Sequence, residues 1–461
     1  MLRIGSTVVG YAAAAASVGA VYNAHAFAQK EDIALTAVPF LEAVGPYRKA
    51  LLQLTGGKAK PKQVPMRQAV EIVESFQARD FDCADGYFGI QQNGHWQTIV
   101  GSGALQKALT GTEPERQIET ISERFATPDG DYFDVDFSKE HFGPEAAGTG
   151  QEELPMVIIL HGLEANYRGG MVTKMAEEYL AQGFAPVFYS FRGCAGTPNL
   201  TVGGYHVGFT KDINQLSVDL HRRYPNRKIY LSGFSLGGNV SLKYLGELSN
   251  KAADRHIFGA VTMSVPYDTV GAGAAIDDGI NKYIYAANFL KTLKAKAEVQ
   301  NKSFPGTFDI EAVRAAKTIG DFDNAFIAAV YKYKDQFDYY LQNGSKAWLH
   351  KIRVPVVSIN ARDDPFIPER TLPDPVADVG GAPVRLIYTK HGGHCGFVAS
   401  ARTRQAAEMV DTTSLVPDKG AIVATEAKKA TSSGNDDRWI AVEMARALKH
   451  IHTESERITN A

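Results

Sequence analysis

Cysteine is scarce. The three residues Cys83, Cys194 and Cys395, in a chain of 461, are too few and too scattered for a disulfide framework or a zinc site, and none sits at a turn shaped for a nucleophile. They read as small buried fillers. An excess of one charge is missing too: 49 basic residues face 51 acidic ones, and no long basic run alternates with aromatics, which argues against nucleic acid as a partner. Phe191-Arg192-Gly193-Cys194-Ala195-Gly196-Thr197 is glycine-rich but lacks the Gly-Lys-Ser/Thr ending of a phosphate cradle, so nucleotide binding is rejected. No metal or cofactor pattern is present, and no internal repeat stands out. The chain also lacks a strong transmembrane run. Its Ala-rich segment from Thr7 to Tyr22 is short and mildly apolar beside the ~20 residues a spanning helix needs. Ala24-His25-Ala26 or Ala26-Phe27-Ala28 offers a cleavage site, so a cleaved signal, an organellar presequence and an uncleaved anchor all stay open for residues 1–28.

What is present is organised around Lys228 to Leu248. An apolar run, Ile229 to Leu231, passes into Gly233-Phe234-Ser235-Leu236-Gly237-Gly238-Asn239, and Val240, Leu242, Tyr244, Leu245 and Leu248 then recur at helical spacing. The pattern predicts strand, sharp turn, helix. Glycines two residues before and two after a serine let a crowded backbone turn there and lift the hydroxyl above the sheet. Ser235 is therefore the candidate nucleophile.

Around this stretch, strands and helices alternate as in a parallel α/β sheet. Met156 to Leu160 is a continuously apolar strand, and His161-Gly162-Leu163-Glu164 follows at its carboxyl end, where such sheets bind ligands. A plain strand-to-helix turn has the same composition; with an elbow downstream, the N–H groups of Leu163 and Leu236 form a candidate oxyanion hole. Further helices are expected at Gly170 to Gln182 and Thr210 to Tyr224, and further strands at Pro186 to Tyr189, Ala260 to Val265, Val354 to Ile359 and Val384 to Tyr388. Upstream, Asp129-Gly130-Asp131 reads as a hairpin turn, and His95 as a structural histidine in a loop. Between residues 267 and 351 the alternation gives way to a helical, Tyr- and Phe-rich insertion expected to roof an acyl-binding cleft. The organisation is thus 1–28 targeting or anchor segment, 29–90 N-terminal extension, 91–266 first part of the core, 267–351 lid, and 352–461 second part of the core. That last part carries a polar insertion near 410–435 and ends in an amphipathic helix from Asp437 to His452.

A serine hydroxyl needs a base. His394, in His391-Gly392-Gly393-His394-Cys395-Gly396-Phe397 after the last strand, is the candidate, with His391 as competitor; a His-x-x-His metal site lacks a third ligand. The carboxylate that would orient the imidazole is Asp363 or Asp364, after the preceding strand, and Asp364 is preferred because Pro365-Phe366-Ile367-Pro368 follows it directly.

These motifs together resemble the YheT-like branch of the α/β-hydrolases, which includes bacterial hydrolases, plant and fungal esterases, and animal ABHD-type acylglycerol lipases with an N-terminal membrane anchor. The resemblance is carried in order by Asn93-Gly94-His95, Asp129-Gly130-Asp131, His161-Gly162-Leu163-Glu164, Phe191-Arg192-Gly193-Cys194, Tyr205-His206, Gly233 through Asn239, Asp363-Asp364-Pro365-Phe366 and Gly392-Gly393-His394, from about residue 90 to 400. It implies an α/β-hydrolase fold, a Ser235, Asp364, His394 triad working without a cofactor, and hydrolysis of carboxylic esters such as acylglycerols or other lipid esters. It also tilts residues 1–28 toward a membrane anchor, with secretion or an organellar location after cleavage as the alternative. Two other functions fit the same residues: a non-catalytic scaffold binding a lipid or protein, and an acyltransferase using the same acyl-enzyme. The Ala-rich start and the insertion from Val410 to Asn435 depart from the family pattern.

Overall fold

The computed structural model describes residues 63–81, 83, 92–101, 118–399 and 438–460. The proposed anchor at 1–28, most of the extension at 29–90 and the polar insertion near 410–435 lie outside them. Among the described residues no helix is long and apolar enough to cross a membrane.

Eight strands form one sheet: β1 Thr120–Ala126, β2 Tyr132–Ser138, β3 Met156–Leu160, β4 Ala185–Ser190, β5 Ile229–Phe234, β6 Ile257–Met263, β7 Val356–Ala361 and β8 Val384–Thr389, in the order β1-β2-β4-β3-β5-β6-β7-β8. From β4 to β8 all pairings are parallel, while β1 and β2 form an antiparallel hairpin and β2 joins β4 antiparallel. The hairpin turns at Gly130, whose φ of 83° suits a residue without Cβ. Strands β3, β5, β6 and β7 are buried throughout, because helices cover both faces. One face packs Leu160, Leu231 and Val356 against helices Lys211–Arg223 and Leu236–Leu248; the other packs Ile159, Tyr230 and Val357 against Gly170–Ala181 and Trp439–Asn460. Burial of this kind, at ~25 cal/mol per Å² of apolar surface, dominates the stability of the sheet. The helix Met66–Ser75 buries Ala69, Ile72 and Val73, and the Ile72 carbonyl lies 2.9 Å from His450 Nε2 of the C-terminal helix.

Between β6 and β7 the chain leaves the sheet and builds its own apolar cluster from Leu290, Val313, Phe322, Phe326, Tyr339 and Tyr340. Most of the insertion's aromatics are thus core residues of the lid itself, while Tyr283 and Phe337 are exposed. Its helices include Thr269–Ile276, Ala287–Ser303 and Gln336–Asn343. Two turns, Lys282–Ala286 and Asp323–Ala328, are π-helical, a form that inserts an extra residue per turn and recurs at functional positions.

The loop after β4 holds a buried charge cluster. Arg192 forks onto Asp212 through Nε and Nη2, 2.7 Å each, and onto Asp129 of the hairpin turn at 2.8 Å through Nη1. Asp131 stands 3.5 Å from the same guanidinium and also accepts from Asn199, Leu200 N and Thr201. The glycine-rich loop is therefore closed by carboxylates from the hairpin turn and from the helix Lys211–Arg223.

Candidate active site

Ser235, Asp364 and His394 stand in the loops after β5, β7 and β8, all at the carboxyl edge of the sheet. Ser235 has φ 52° and ψ −126°, a conformation that costs a non-glycine residue about 1–3 kcal/mol. Packing enforces it. A Cβ on Gly237 would lie 2.3 Å from Leu160 O and 2.5 Å from His161 O, and one on Gly233 would lie 2.5 Å from Gly237 O. Only glycine lets the helix start this close to β3. Gly237→Ala is accordingly expected to lower the free energy of unfolding by about 2–3 kcal/mol, read from the urea midpoint, because the clash is with backbone carbonyls that cannot rotate away.

His394 Nε2 lies 2.9 Å from Ser235 Oγ, and its Nδ1 lies 2.8 Å from Asp364 Oδ2. The other oxygen of Asp364 accepts the Phe366 N–H at 2.8 Å, which fixes the carboxylate from the side away from the ring nitrogen. The histidine loop is fixed from behind, where Thr98 Oγ1 accepts the His394 N–H at 2.8 Å and donates to Gly94 O at 2.7 Å. Cys395 N–H donates to Ser264 Oγ at 3.0 Å, and the Phe366 ring lies 4.4 Å, centroid to centroid, from the imidazole. Burial would lower the His394 pKa, but the Asp364 carboxylate and the neighbouring Cys395 outweigh it and hold the imidazole above its ordinary value.

The two alternatives left open by the sequence are paired with each other. His391 Nδ1 lies 3.2 Å from Asp363 Oδ2, and Asp363 Oδ1 accepts the Gly393 N–H at 3.0 Å, so this second couple braces the glycine turn that carries His394. His95 is not in a loop. It occupies the first turn of the helix Gly94–Gly101, because Asn93 Oδ1 caps the N–H groups of His95 and Trp96, and its Nδ1 lies 3.3 Å from Tyr285 Oη on the lid.

His161 is fully buried, its pKa lowered to about 4 chiefly by desolvation, so it is neutral. Its Nε2 accepts the Phe191 N–H at 3.1 Å, which leaves Nδ1 as the protonated nitrogen, 2.8 Å from Gly162 O. Next to it Glu164, at φ 57°, donates its N–H to Tyr205 Oη at 2.8 Å. Its carboxylate accepts from Tyr205 Oη and from Lys296 Nζ of the lid helix Ala287–Ser303, 2.8 Å each. Cys194 is a buried filler, as composition suggests, but also a contact of Lys296 at 3.4 Å. Sequence reasoning missed this lid-to-core tie and the Thr98 brace; their partners lie more than 100 residues apart.

A cavity of about 140 Å³ opens onto Ser235 and His394 and runs under the lid, lined also by Leu163, Leu236, Ala272, Ile276, Ile327 and Phe366. Among the described residues no group of three or more His, Cys, Asp or Glu could hold a metal ion.

The family profile described as the alpha/beta hydrolase fold matches residues 155–400 of the chain. The chain belongs to the α/β-hydrolase family. Among the relatives of this α/β-hydrolase, YheT of Escherichia coli (strain K12) is 30% identical over 60% of this chain and 78% of its own length. The phospholipase ABHD3 of Mus musculus is 26% identical over 67% of this chain and 73% of its own, and the monoacylglycerol lipase of Saccharomyces cerevisiae is 26% identical over 74% and 83%. The chain is thus a YheT- and ABHD-type α/β-hydrolase of the esterase and lipase class.

Proposed function

We propose that this α/β-hydrolase cleaves carboxylic esters of lipids through an acyl-enzyme on Ser235, with His394 as general base and Asp364 as its orienting carboxylate. The observation that carries the reading is the unbroken hydrogen-bonded line from Ser235 Oγ through His394 to Asp364 Oδ2. In the first half-reaction, Oγ attacks the ester carbon while its proton passes to His394 Nε2. The C–O bond to the alcohol then breaks, and the alcohol leaves with that proton. Water repeats the sequence from the other side, its proton going to Nε2 and its oxygen to the acyl carbon, which frees the acid and restores the serine.

The N–H groups of Leu163 and Leu236 are the proposed oxyanion donors, each worth on the order of 3 kcal/mol in the transition state. Two features support them. Leu236 opens its helix, where first-turn N–H groups have no intrahelical acceptor. Gly162 O is tied to His161, and since a trans peptide points its N–H opposite to its C=O, the Leu163 N–H faces away from His161. Both leucines line the cavity with Ser235. The substrate is an ester whose acyl part fills this cavity, a choice supported by its apolar lining and by relatives named as a phospholipase and a monoacylglycerol lipase.

The test is covalent. A fluorophosphonate probe is expected to add one equivalent to the native protein, on the peptide carrying Ser235, and to block p-nitrophenyl ester hydrolysis in proportion to labelling. Failure to label, together with no turnover of any ester from acetate to palmitate, rules the reading out.

A further inference from the structure

The cavity that holds Ser235 and His394 also holds one carboxyl group that the proposed reaction does not use. Asp323 lies on the lid at the start of the π-helical turn Asp323–Ala328 and is nine-tenths buried. Its Oδ2 accepts the Tyr340 Oη–H at 2.7 Å, and among the described residues it has no ion pair and no second hydrogen-bond donor. A carboxylate has room for several more donors, and leaving that capacity unfilled in an apolar wall is costly. The wall is apolar here: Ala272, Ile276, Leu293, Ile319, Phe322 and Ile327 line the same cavity, and among the described residues Asp323 is the only acidic one lining it. Desolvation, added to by repulsion from Asp277 and only partly offset by Tyr340, pushes its pKa up to about 7.

For a plain hydrocarbon chain this residue is a defect, since the chain would strip water from the carboxyl and return no hydrogen bond. For a polyol head group it is too little. Among the other acceptors at the cavity wall, Tyr205 Oη takes the Glu164 N–H, Tyr339 Oη the Val207 N–H and His206 Nδ1 the Gly208 N–H, while Thr269 Oγ1 donates to Tyr340 O. One acceptor in an otherwise aliphatic and aromatic chamber fits one donor on an otherwise apolar chain. We propose that the acyl chain this cavity selects carries a hydroxyl group, and that the free oxygen of Asp323 accepts its hydrogen bond. A space near 150 Å³ holds about six carbons in the size of benzene, which sets the chain length to probe. The preferred substrates are then esters of hydroxylated fatty acids. Asp323 would be a specificity-determining residue, remote from the bonds that form and break.

This inference rests on the proposed esterase reaction, and its test separates the two. Initial rates of wild type and of Asp323→Leu and Asp323→Asn are compared on p-nitrophenyl hexanoate and on its 2-, 3- and 6-hydroxy derivatives, with the spontaneous rate subtracted. The wild type is expected to favour at least one hydroxylated ester over hexanoate by ~10-fold or more in kcat/KM, the range of a hydrogen bond to a charged group. Asp323→Leu should bring the ratio of kcat/KM for the hydroxylated ester over hexanoate down to about one, and Asp323→Asn, which keeps an acceptor oxygen in the same volume, should retain part of the preference. Turnover of hexanoate with no gain from a hydroxyl at any position, or a gain that survives in Asp323→Leu, overturns the inference alone. No turnover of any ester overturns the reaction beneath it as well. The wild-type comparison needs no variant to fold.

Discussion

Ser235→Ala is expected to lower kcat for ester hydrolysis by about 10⁶-fold, the scale seen when a serine hydrolase loses its nucleophile. The expectation follows from what Oγ does and what it does not do. In the proposed reaction it forms the acyl bond, and it lies 2.9 Å from the nitrogen that would take its proton. It does little for the fold. The φ of 52° at this position is imposed by the glycines and by the Ser235 N–H bonding Met263 O at 3.0 Å, and alanine keeps both the Cβ and the N–H. The unfolding midpoint should therefore move by the loss of one partly buried hydrogen bond, about 1 kcal/mol. Residual rate above water would come from the N–H groups of Leu163 and Leu236 and from the His394 and Asp364 couple acting on water. Single-turnover measurements on p-nitrophenyl butanoate, with circular dichroism as the check on folding, give both quantities. A variant retaining more than about one part in a hundred of the rate would remove Ser235 from the mechanism.

Much of the candidate site is legible in the sequence because the chemistry proposed for it demands local patterns. The elbow needs Gly233 and Gly237 at fixed offsets, and their would-be Cβ contacts, 2.5 Å or less from backbone atoms, are the physical reason. The strands β3, β5 and β7 are recognisable as short apolar runs because they are buried on both faces. The hairpin before them is marked by Asp129-Gly130-Asp131, but no local pattern says that both aspartates reach across to Arg192, some sixty residues on. The glycine beside His95 suggests a loop, but the Asn93 side chain caps a helix there, and the capping signal prevails. The lid was legible as a helical, aromatic insertion and no further. Which of its residues face the sheet depends on the π-helical turns at Lys282–Ala286 and Asp323–Ala328, which shift the helical phase and bring Tyr285 to His95 and Asp323 to the cavity. A period of 3.6 residues cannot anticipate such a shift.

The adjacent acids are separated by a second substitution pair. Asp364→Asn is expected to lower kcat/KM by about 10⁴-fold, and Asp363→Asn by less than about tenfold. In Asp364→Asn the Phe366 N–H still needs an acceptor and keeps the amide oxygen, so the NH₂ takes the place of Oδ2 and faces His394 Nδ1. The NH₂ donates, Nδ1 must accept, and the ring proton moves to Nε2, where it can no longer receive the proton of Ser235. The pH profile carries an independent signature. The proposed reaction needs neutral His394, so activity should rise with pH through its pKa, which in the wild type lies above the usual ~6.5 because the Asp364 carboxylate, with Cys395 beside it, outweighs burial. With that negative charge gone, burial prevails, and the rising limb of kcat/KM should move to lower pH even as its plateau collapses. Asp363→Asn leaves the Asp364 carboxylate in place and loosens only the His391 and Gly393 brace, so its limb should stay where it is. The reverse result, a large loss and a displaced limb in Asp363→Asn with a near-normal Asp364→Asn, would transfer the orienting role to Asp363 and require the histidine loop to rearrange during turnover.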